Sequence, residues 1–238
     1  MFALDRVLIV APHPDDETLT TAGVIQRAGD VRVVIVTDGE MNPWPQRLAY
    51  KKWRIDDSDR ARWGMMRRDE SLRALSQLGA PDRCARFLAL PDTKLMTLAR
   101  RGDTRFADAL AKEIAAFAPA LIIAPSFFDL HADHRAASYA VHKAAPNIDV
   151  ITYVVHGSGD PTRVAMTVEL TDAEKRRKRD AIECHTSQLR LSRKRFIAHA
   201  TMSEVFYVAE HDLVRIETEE EEQQGWRRHM RHVIRRYV

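Results

Sequence analysis

The fold is decided by Val7-Leu8-Ile9-Val10-Ala11-Pro12-His13-Pro14-Asp15-Asp16-Glu17, an apolar run that leads into a histidine and three carboxylates. The apolar residues are typical of a strand that is buried on both faces. Residues 18–28, which follow, have the pattern of a helix. The polar residues therefore lie in the turn after a strand, where open α/β sheets bind their ligands.

A second cluster of the same kind is Asp129-Leu130-His131-Ala132-Asp133-His134, in the middle of the chain. It follows the apolar run 120–125 and precedes a helical stretch, 135–145. In a doubly wound sheet of order 3-2-1-4-5, residues 6–11 would form strand 1 and residues 120–125 strand 4. These strands are neighbours, and the ligand crevice opens between them. We therefore expect the two clusters to face each other.

Together the clusters offer the ligands of a catalytic metal. Such a metal takes three protein ligands and keeps one position open. Imidazole and carboxylate groups suit Zn²⁺, and they also admit Fe²⁺ or another divalent ion. His13, Asp16 and His134 make a set of two histidines and one carboxylate. This leaves Asp15 as a general base for the attacking water, and His131 to polarise a carbonyl or to protonate a leaving group.

Asp133 is the candidate partner of an imidazole, because ligating and catalytic histidines usually donate their second N–H to a carboxylate or carbonyl. A purely structural interpretation of each cluster is also open. The histidines could cap a helix or lie in solvated loops, and Asp15 and Asp16 could be carboxylates favoured at a helix N-terminus. Two such clusters at equivalent positions of the predicted topology favour a functional site.

These motifs resemble the LmbE-like or PIG-L-like N-acetylglucosaminyl deacetylases. The first family motif, Ala-His-Pro-Asp-Asp-Glu, is matched by residues 11–17 with one extra proline, and the second, His-x-Asp-His, by residues 131–134. The resemblance covers about residues 6 to 190. Weaker features follow the family order: Thr37-Asp38-Gly39-Glu40, Arg67 and Glu70 before Leu78-Gly79, and Lys178 and Ala181 before His185-Thr186-Ser187-Gln188.

The resemblance implies a zinc-dependent hydrolase that removes the N-acetyl group from an amino-sugar conjugate, giving acetate and a free amine. Carried over by motif position, the ligands are again His13, Asp16 and His134, with Asp15 as the base and His131 as the group that steadies the oxyanion. The chain departs from the family pattern at Asp129, where some members have a tyrosine. Either another group does the work of that tyrosine, or the substrate differs.

The alternation of predicted elements favours an α/β fold. We expect a Rossmann-like three-layer sandwich with a mostly parallel sheet, a 3-2-1-4-5 core and an antiparallel edge. One domain is predicted over residues 1–238, with a core over about 6–210 and an acidic, then basic tail over 211–238. The predicted strands are 6–11, 31–37, 86–89, 120–125, 149–156, 164–169 and 204–209, and the predicted helices are 17–29, 65–78, 104–117, 134–145 and 171–185.

Composition restricts the class of protein. Hydrophobic residues make up 45% of the chain and charged residues 30%, as in globular proteins. Two cysteines give no disulfide framework, residues 1–4 lead directly into the first strand, and no apolar run is long enough to span a membrane. A net charge of +3 without a recognisable motif does not indicate nucleic-acid binding. We expect a cytoplasmic enzyme with a small-molecule or lipid-linked substrate.

The insertion from Met41 to Trp63 holds three of the four tryptophans, Trp44, Trp53 and Trp63, among many charged residues. A loop of this length in a compact domain is often functional. Aromatic rings and cations suit an anionic glycan or glycolipid. An amphipathic surface segment with its aromatics packed inward is an equally good interpretation.

The tail from Trp226 to Val238 is basic and has an apolar stripe at helical spacing, formed by Trp226, Met230, Val233 or Ile234, and Tyr237. Such a helix can lie on an anionic membrane surface. It can also pack on its own domain or on a second subunit in a homo-oligomer. Packing is the favoured interpretation.

Two other functions are open from the motifs alone. The same clusters permit hydrolysis of another amide or of a phosphoester, although a phosphoesterase more often holds two metals about 3.5–4 Å apart. A non-catalytic sugar-binding protein would be expected to have lost a ligand or the base. The sequence retains all five of the residues His13, Asp15, Asp16, His131 and His134.

Overall fold

The computed structural model describes residues 2–209 and 213–237. Within these ranges, seven strands form one sheet in the order β3-β2-β1-β4-β5-β7-β6. The strands are β1 (Arg6–Ala11), β2 (Asp30–Thr37), β3 (Ala85–Leu90), β4 (Leu121–Pro125), β5 (Asp149–Tyr153), β6 (Val164–Val168) and β7 (Glu204–Val208). The predicted core order and the antiparallel edge are confirmed, because β7 pairs antiparallel with both β5 and β6.

The strand β1 shows why this sheet forms. Residues 7–11 are fully buried. Val7, Ile9 and Ala11 point into the core on one face of the sheet, and Leu8 and Val10 point into the core on the other. A strand that is covered on both faces needs an unbroken apolar run, and this is what the sequence shows. β1 pairs in parallel with β2 on one side and with β4 on the other.

Helices cover both faces of the sheet. They are α1 (Asp16–Thr20), α2 (Ala22–Arg27), α3 (Pro43–Tyr50), α4 (Asp57–Gln77), α5 (Leu95–Arg100), α6 (Arg105–Phe117), α7 (Ala132–Ala144), α8 (Asp172–Cys184), α9 (Thr186–Ala198) and α10 (Glu219–Tyr237). None of the helices within the described ranges is both long enough and apolar enough to cross a membrane.

The predicted helix 17–29 is two helices, broken at Thr21, whose φ of −129° is not helical. The break has a tertiary cause. The N–H of Gly23 donates to both oxygens of the Glu204 carboxylate, at 2.9 and 3.0 Å, instead of continuing the helix. Nothing in the local sequence specifies this partner, which comes from β7.

The insertion after β2 is not the long loop that the sequence suggested. It contains α3 and the beginning of α4, which starts at a capping box formed by Asp56 and Asp59. Trp63 is fully buried in α4, whereas Trp44 and Trp53 are exposed. The insertion is therefore neither entirely packed inward nor entirely a free loop.

The first half of α10 packs on its own domain. Arg100 forms an ion pair with Glu222, and a Cβ placed on Gly225 would lie 2.7 Å from the Arg135 guanidinium, so the glycine permits a close approach to α7. Trp226 is exposed. The side chains of residues 232–237, which continue the predicted apolar stripe, and the predicted boundary at 210–211 lie outside the described residues.

Candidate metal and catalytic site

Three donor atoms from the ends of two adjacent strands form the centre of the site. Nδ1 of His13, Oδ2 of Asp16 and Nε2 of His134 lie 3.3 Å apart in every pair. A tetrahedral zinc with bonds of about 2.0–2.1 Å separates its ligand atoms by about 3.3–3.4 Å. The triangle therefore has the dimensions of three ligands to one ion. The structure brings together the three residues that the sequence predicted as ligands.

His13 also belongs to two wider groups of possible metal ligands. One contains His131 and His134, and the other contains Asp92 and Asp133; in each group the donor atoms lie within 4.8 Å of one another. A buried set of imidazoles and carboxylates is chemically suited to a divalent cation. The site is accordingly a candidate metal centre made of histidines and aspartates.

The turn after β1 is held closed by its own carboxylate. The backbone N–H of His13 donates to Oδ2 of Asp16 at 2.9 Å. The same carboxylate thus fixes the turn and completes the triangle. Burial alone would raise the pKa of Asp16, but His134 and His13 hold it well below its usual value. Asp16 is therefore ionised, as a metal ligand must be.

Asp15, the predicted base, has a φ of 139°, which L residues rarely adopt. Arg67 from α4 holds this strained turn by donating to the carbonyl oxygen of Pro14 at 2.6 Å and to the Asp15 carboxylate at 3.2 Å. Arg67 also donates to the carbonyl oxygen of Gly39. A Cβ on Gly39 would lie 1.6 Å from the guanidinium, so only glycine leaves room for this contact.

The surroundings of Asp15 and Asp16 shift the pKa values of these adjacent carboxyls in opposite directions. Burial raises the pKa of Asp15 to about 6, although the Arg67 charge opposes the rise. The pKa of Asp16 is lowered instead. Asp15 can therefore exchange a proton near neutral pH while Asp16 stays ionised. Divergent pKa values in neighbouring carboxyls are a mark of separate acid–base and binding roles.

His131 is the N-cap residue of α7. Its Nδ1 accepts a hydrogen bond from the backbone N–H of Asp133 at 3.2 Å, so the ring hydrogen of the neutral form lies on Nε2. Burial and, to a smaller extent, the nearby His13 lower the pKa of His131 to about 3. His131 is therefore a neutral imidazole with an N–H to donate, and its ring centroid lies 4.7 Å from that of His13.

Two carboxylates lie on the far side of His13. Nε2 of His13 is 3.3 Å from Oδ1 of Asp92 and 3.5 Å from Oδ2 of Asp133. The imidazole closest to the Asp133 carboxylate is thus that of His13. The backbone N–H of Asp133 donates to the other histidine, His131. Asp133 also accepts from the N–H groups of Thr93 and Leu95, which ties the loop after β3 to the site.

Sequence reasoning missed Asp92, and it noted Asp129 only as a departure from a family pattern. Asp92 follows β3 within two residues, so an acid at the carboxyl end of a third parallel strand was the available signal. Asp129 lies 3.2 Å from Nδ1 of His134 and accepts the N–H of His131 at 2.8 Å. Its carboxylate is therefore directed inward, where it can orient a histidine of the candidate metal centre.

The weaker sequence features stabilise the scaffold behind the site. Glu70 accepts from the N–H and the hydroxyl of Ser187, which joins α4 to α9. Lys178 forms a fully buried ion pair with Glu204 at 2.8 Å. Nε2 of the buried His185 lies 3.0 Å from the hydroxyl oxygen of Thr18, next to the first motif. These contacts place α8 and α9 against the strand ends.

Comparison with known proteins gives a family match in the same region. The sequence model of the PIG-L family, described as GlcNAc-PI de-N-acetylase, matches residues 8–145. This range contains both motifs. A curated relative, 1D-myo-inositol 2-acetamido-2-deoxy-alpha-D-glucopyranoside deacetylase of Mycobacterium sp. (strain KMS), is 32% identical in a 188-residue alignment that covers 68% of this chain and 59% of the relative. The chain thus spans less than two thirds of that relative's length.

Solved structures share the fold at lower sequence identity. N,N'-diacetylchitobiose deacetylase from Pyrococcus horikoshii is 21% identical with a TM-score of 0.60, over 90% of this chain and 87% of that chain. GalB, the 4-carboxy-2-hydroxymuconate hydratase from Pseudomonas putida KT2440, is also 21% identical, with a TM-score of 0.63 over 83% of each chain. Because a deacetylase and a hydratase both have this fold, the fold by itself does not decide the reaction.

Proposed function

The chain belongs to the PIG-L family of GlcNAc-PI de-N-acetylases, and from this premise we propose that it is a zinc-dependent hydrolase of an N-acetylglucosamine-type conjugate. The reaction adds water across the acetamide C–N bond and yields acetate and a free amine. The observation that carries the proposal is the 3.3 Å triangle of His13, Asp16 and His134, with Asp15 and His131 beside it.

His13, Asp16 and His134 would hold the zinc. When bound in such a set, zinc acts as a Lewis acid and lowers the pKa of water to roughly 7. Asp129 and Asp92 support the proposed ligands by facing the second nitrogen of His134 and of His13, respectively. Carboxylates in these positions fix the orientation of a ligating imidazole and raise its basicity.

Asp15 is the proposed general base. It takes a proton from the water that attacks the acetamide carbonyl carbon. A buried carboxylate with a pKa of about 6 is largely ionised at pH 7 and still basic enough for this transfer. Arg67 keeps the carboxylate in place through the strained turn. General-base catalysis contributes typically about 10²–10⁴-fold to a rate.

His131 is the proposed oxyanion donor. The carbonyl oxygen of the acetamide becomes negative when water adds, and a neutral imidazole N–H can stabilise that charge. The hydrogen bond from the Asp133 N–H to Nδ1 keeps the ring in the required tautomer. The amine then leaves with a proton delivered by Asp15 or by His131, while the acetyl carbon keeps the new oxygen.

The same proposal covers substrate and location at a finer level. The partner is a small-molecule amino-sugar conjugate, either unattached or lipid-linked. Cys84 and Cys184 form no disulfide within the described residues, which favours a reducing compartment such as the cytoplasm. The packed half of α10 favours a structural role for the tail, with membrane contact as the less favoured interpretation.

The test is acetate release from a panel of N-acetylglucosamine conjugates by the zinc-loaded chain. Asp15→Asn should lower release by about 10²–10⁴-fold, and the exposed carboxylate control Asp149→Asn should leave it unchanged. Release that does not depend on zinc or on Asp15 would refute the mechanism. If no conjugate releases acetate, the proposed reaction is refuted. Hydrolysis of another amide or of a phosphoester then becomes the favoured function of the site.

A further inference from the structure

One arginine and two histidines gather beside the proposed catalytic groups, on segments that lie beyond the second motif. His156 follows β5, Arg195 lies on α9 and His229 lies on α10. We call these three residues the rim cluster. All of them lie outside the 8–145 range that matches the family, so neither motif accounts for them.

The rim cluster is compact. Nη2 of Arg195 lies 3.2 Å from Nδ1 of His156, and the ring centroids of His156 and His229 lie 4.8 Å apart in a T-shaped arrangement. Since the parallel strands β4 and β5 are neighbours, the loop that carries His156 emerges beside the loop that carries His131. His156 is thus positioned by the same sheet edge as the site, and α9 and α10 bring the other two residues to it.

The rim cluster also lies against the reacting groups. The ring centroid of His131 is 5.5 Å from that of His156 and 5.9 Å from that of His229. Arg195 joins these rings through its contact with Nδ1 of His156. A substrate with its acetamide at Asp15 and His131 would therefore extend next to these three side chains.

The C-terminal segment is fixed firmly enough to place His229. Arg135 on α7 makes a bidentate pair with Glu217, at 2.7 and 2.8 Å, and both residues are buried. The same guanidinium donates to the carbonyl oxygen of Asp129 at 2.8 Å. The segment that leads into α10 is thus anchored to the loop that orients His134 and His131.

The chemistry of the rim cluster is that of an anion site. Arginine offers a planar set of N–H donors that matches a carboxylate or a phosphate. Because Nδ1 of His156 accepts from Arg195, the hydrogen of the neutral ring lies on Nε2 as a further donor. Oδ2 of Asp129 accepts the backbone N–H of His156 at 3.0 Å and lies 3.2 Å from Nδ1 of His134.

We propose that the rim cluster binds an anionic substituent, a carboxylate or a phosphate ester, that the amino-sugar substrate carries near its acetamide group. This inference rests on the proposed function for the identity of the sugar, and it goes beyond that function by assigning a charge to the rest of the conjugate. Arg195 supplies the charge, and His156 and His229 act as specificity-determining neighbours. The tail thereby becomes part of the substrate site.

The experiment measures binding without turnover, using isothermal titration of the zinc-loaded full chain with three glucosamine glycosides. All three carry the same 2-amino group. The methyl glycoside has an uncharged substituent at C1, the carboxymethyl glycoside carries a carboxylate there, and glucosamine 1-phosphate carries a phosphate. The expected result is that at least one anionic glycoside binds tenfold or more tightly than the methyl glycoside. The tighter of the two anionic glycosides identifies the substituent.

Two variants assign any preference to the rim cluster. Arg195→Gln should weaken binding of the anionic glycoside by about tenfold, the loss expected for one charged hydrogen bond, and should change binding of the methyl glycoside by less than twofold. His229→Phe keeps an aromatic ring in place and removes its polar atoms, so it should act in the same direction. Arg193→Gln is the matched control, because Arg193 lies on the same helix and pairs with Glu183 at the surface.

The outcomes separate this inference from the proposed function. Equal binding of all three glycosides would overturn the inference, and so would an anion preference that survives both rim variants. Acetate release from the three matching N-acetyl conjugates is measured in parallel. Release without anion preference would uphold the function and refute the rim site. Anion preference that is lost in the rim variants, without any release, would uphold the rim site and refute the reaction.

Discussion

Nε2 of His134 lies 3.3 Å from Nδ1 of His13, although the two residues are 121 positions apart in the chain. Each imidazole lies in the segment that follows the carboxyl end of a strand, β1 for His13 and β4 for His134. These two strands are hydrogen-bonded neighbours. The position equidistant from both nitrogens and from the Asp16 carboxylate is where the proposed metal would bind.

Asp15 and Asp16 are adjacent and chemically similar, but we expect opposite consequences of their substitution. Asp16→Asn removes an ionised donor of the triangle and should lower the zinc content of purified protein well below one per chain. Asp15→Asn should keep one zinc per chain and lose activity, because its carboxylate is held by Arg67 outside the triangle. Metal analysis by mass spectrometry after gel filtration distinguishes the two. Loss of zinc in Asp15→Asn would contradict its assignment as a base.

Asp92 is expected to tune the metal site through His13. Asp92→Asn removes the charge that lies 3.3 Å from Nε2 of His13, and substitutions of such supporting carboxylates typically weaken metal binding by about 10–100-fold. Competition with a chromogenic chelator measures the zinc Kd. The exposed control Asp149→Asn should leave the Kd unchanged. An unchanged Kd in Asp92→Asn would show that this contact does not orient the ligand.

The buried pair of Lys178 and Glu204 is expected to be critical for folding stability. Lys178→Met leaves the Glu204 carboxylate buried without its cation, which costs about 3–5 kcal/mol. Adding Glu204→Gln should recover part of the loss. Lys175→Met on the same helix, whose partner Asp172 is exposed, should change stability by no more than about 0.5–1 kcal/mol. Urea unfolding at pH 7 gives all four values, and equal losses in Lys178→Met and Lys175→Met would contradict the argument.

Folding stability should fall as the pH decreases below about 6.5, in part because of His185. Burial lowers the pKa of His185 to about 3, whereas in the unfolded chain it is near 6.5. Below pH 6.5 the unfolded state therefore binds a proton that the folded state does not, and stability decreases until the pH reaches the folded pKa.

The test measures how the free energy of unfolding changes with pH, and not its value at a single pH. His185→Gln should reduce the slope of the unfolding free energy between pH 6.5 and 4.5 by up to about 1.4 kcal/mol per pH unit. His131 and His156 are also held neutral by burial, so a residual slope should remain in the variant. Parallel curves for the wild type and His185→Gln would mean that His185 is not buried in its neutral form.

Several elements could be predicted from local sequence because local physics determines them. A short apolar run without charges, such as 7–11, is typical of a strand covered on both faces, and its place beside 121–125 follows from the strand order of doubly wound sheets. The helix α4 was predicted to start at 65 and starts at Asp57, because its capping box lies within a charged segment without clear apolar periodicity. The helix α9 contains a residue with non-helical angles, Ser192, and its pattern did not indicate a helix.

In the candidate site, too, some features follow from the sequence and others only from the tertiary structure. Residues 13–17 are consecutive in the chain, and so are residues 131–134. The sequence by itself therefore determined which imidazoles and carboxylates lie close together within each motif. The strand order, which could be predicted, brings the two motifs together. Only the tertiary structure decided which atoms face one another. Asp92, Asp129 and Arg67 come from separate loops and helices, and the rim cluster comes from three further elements. Their positions depend on packing between distant segments, because no local preference of the chain specifies a contact that forms only when the whole sheet has assembled.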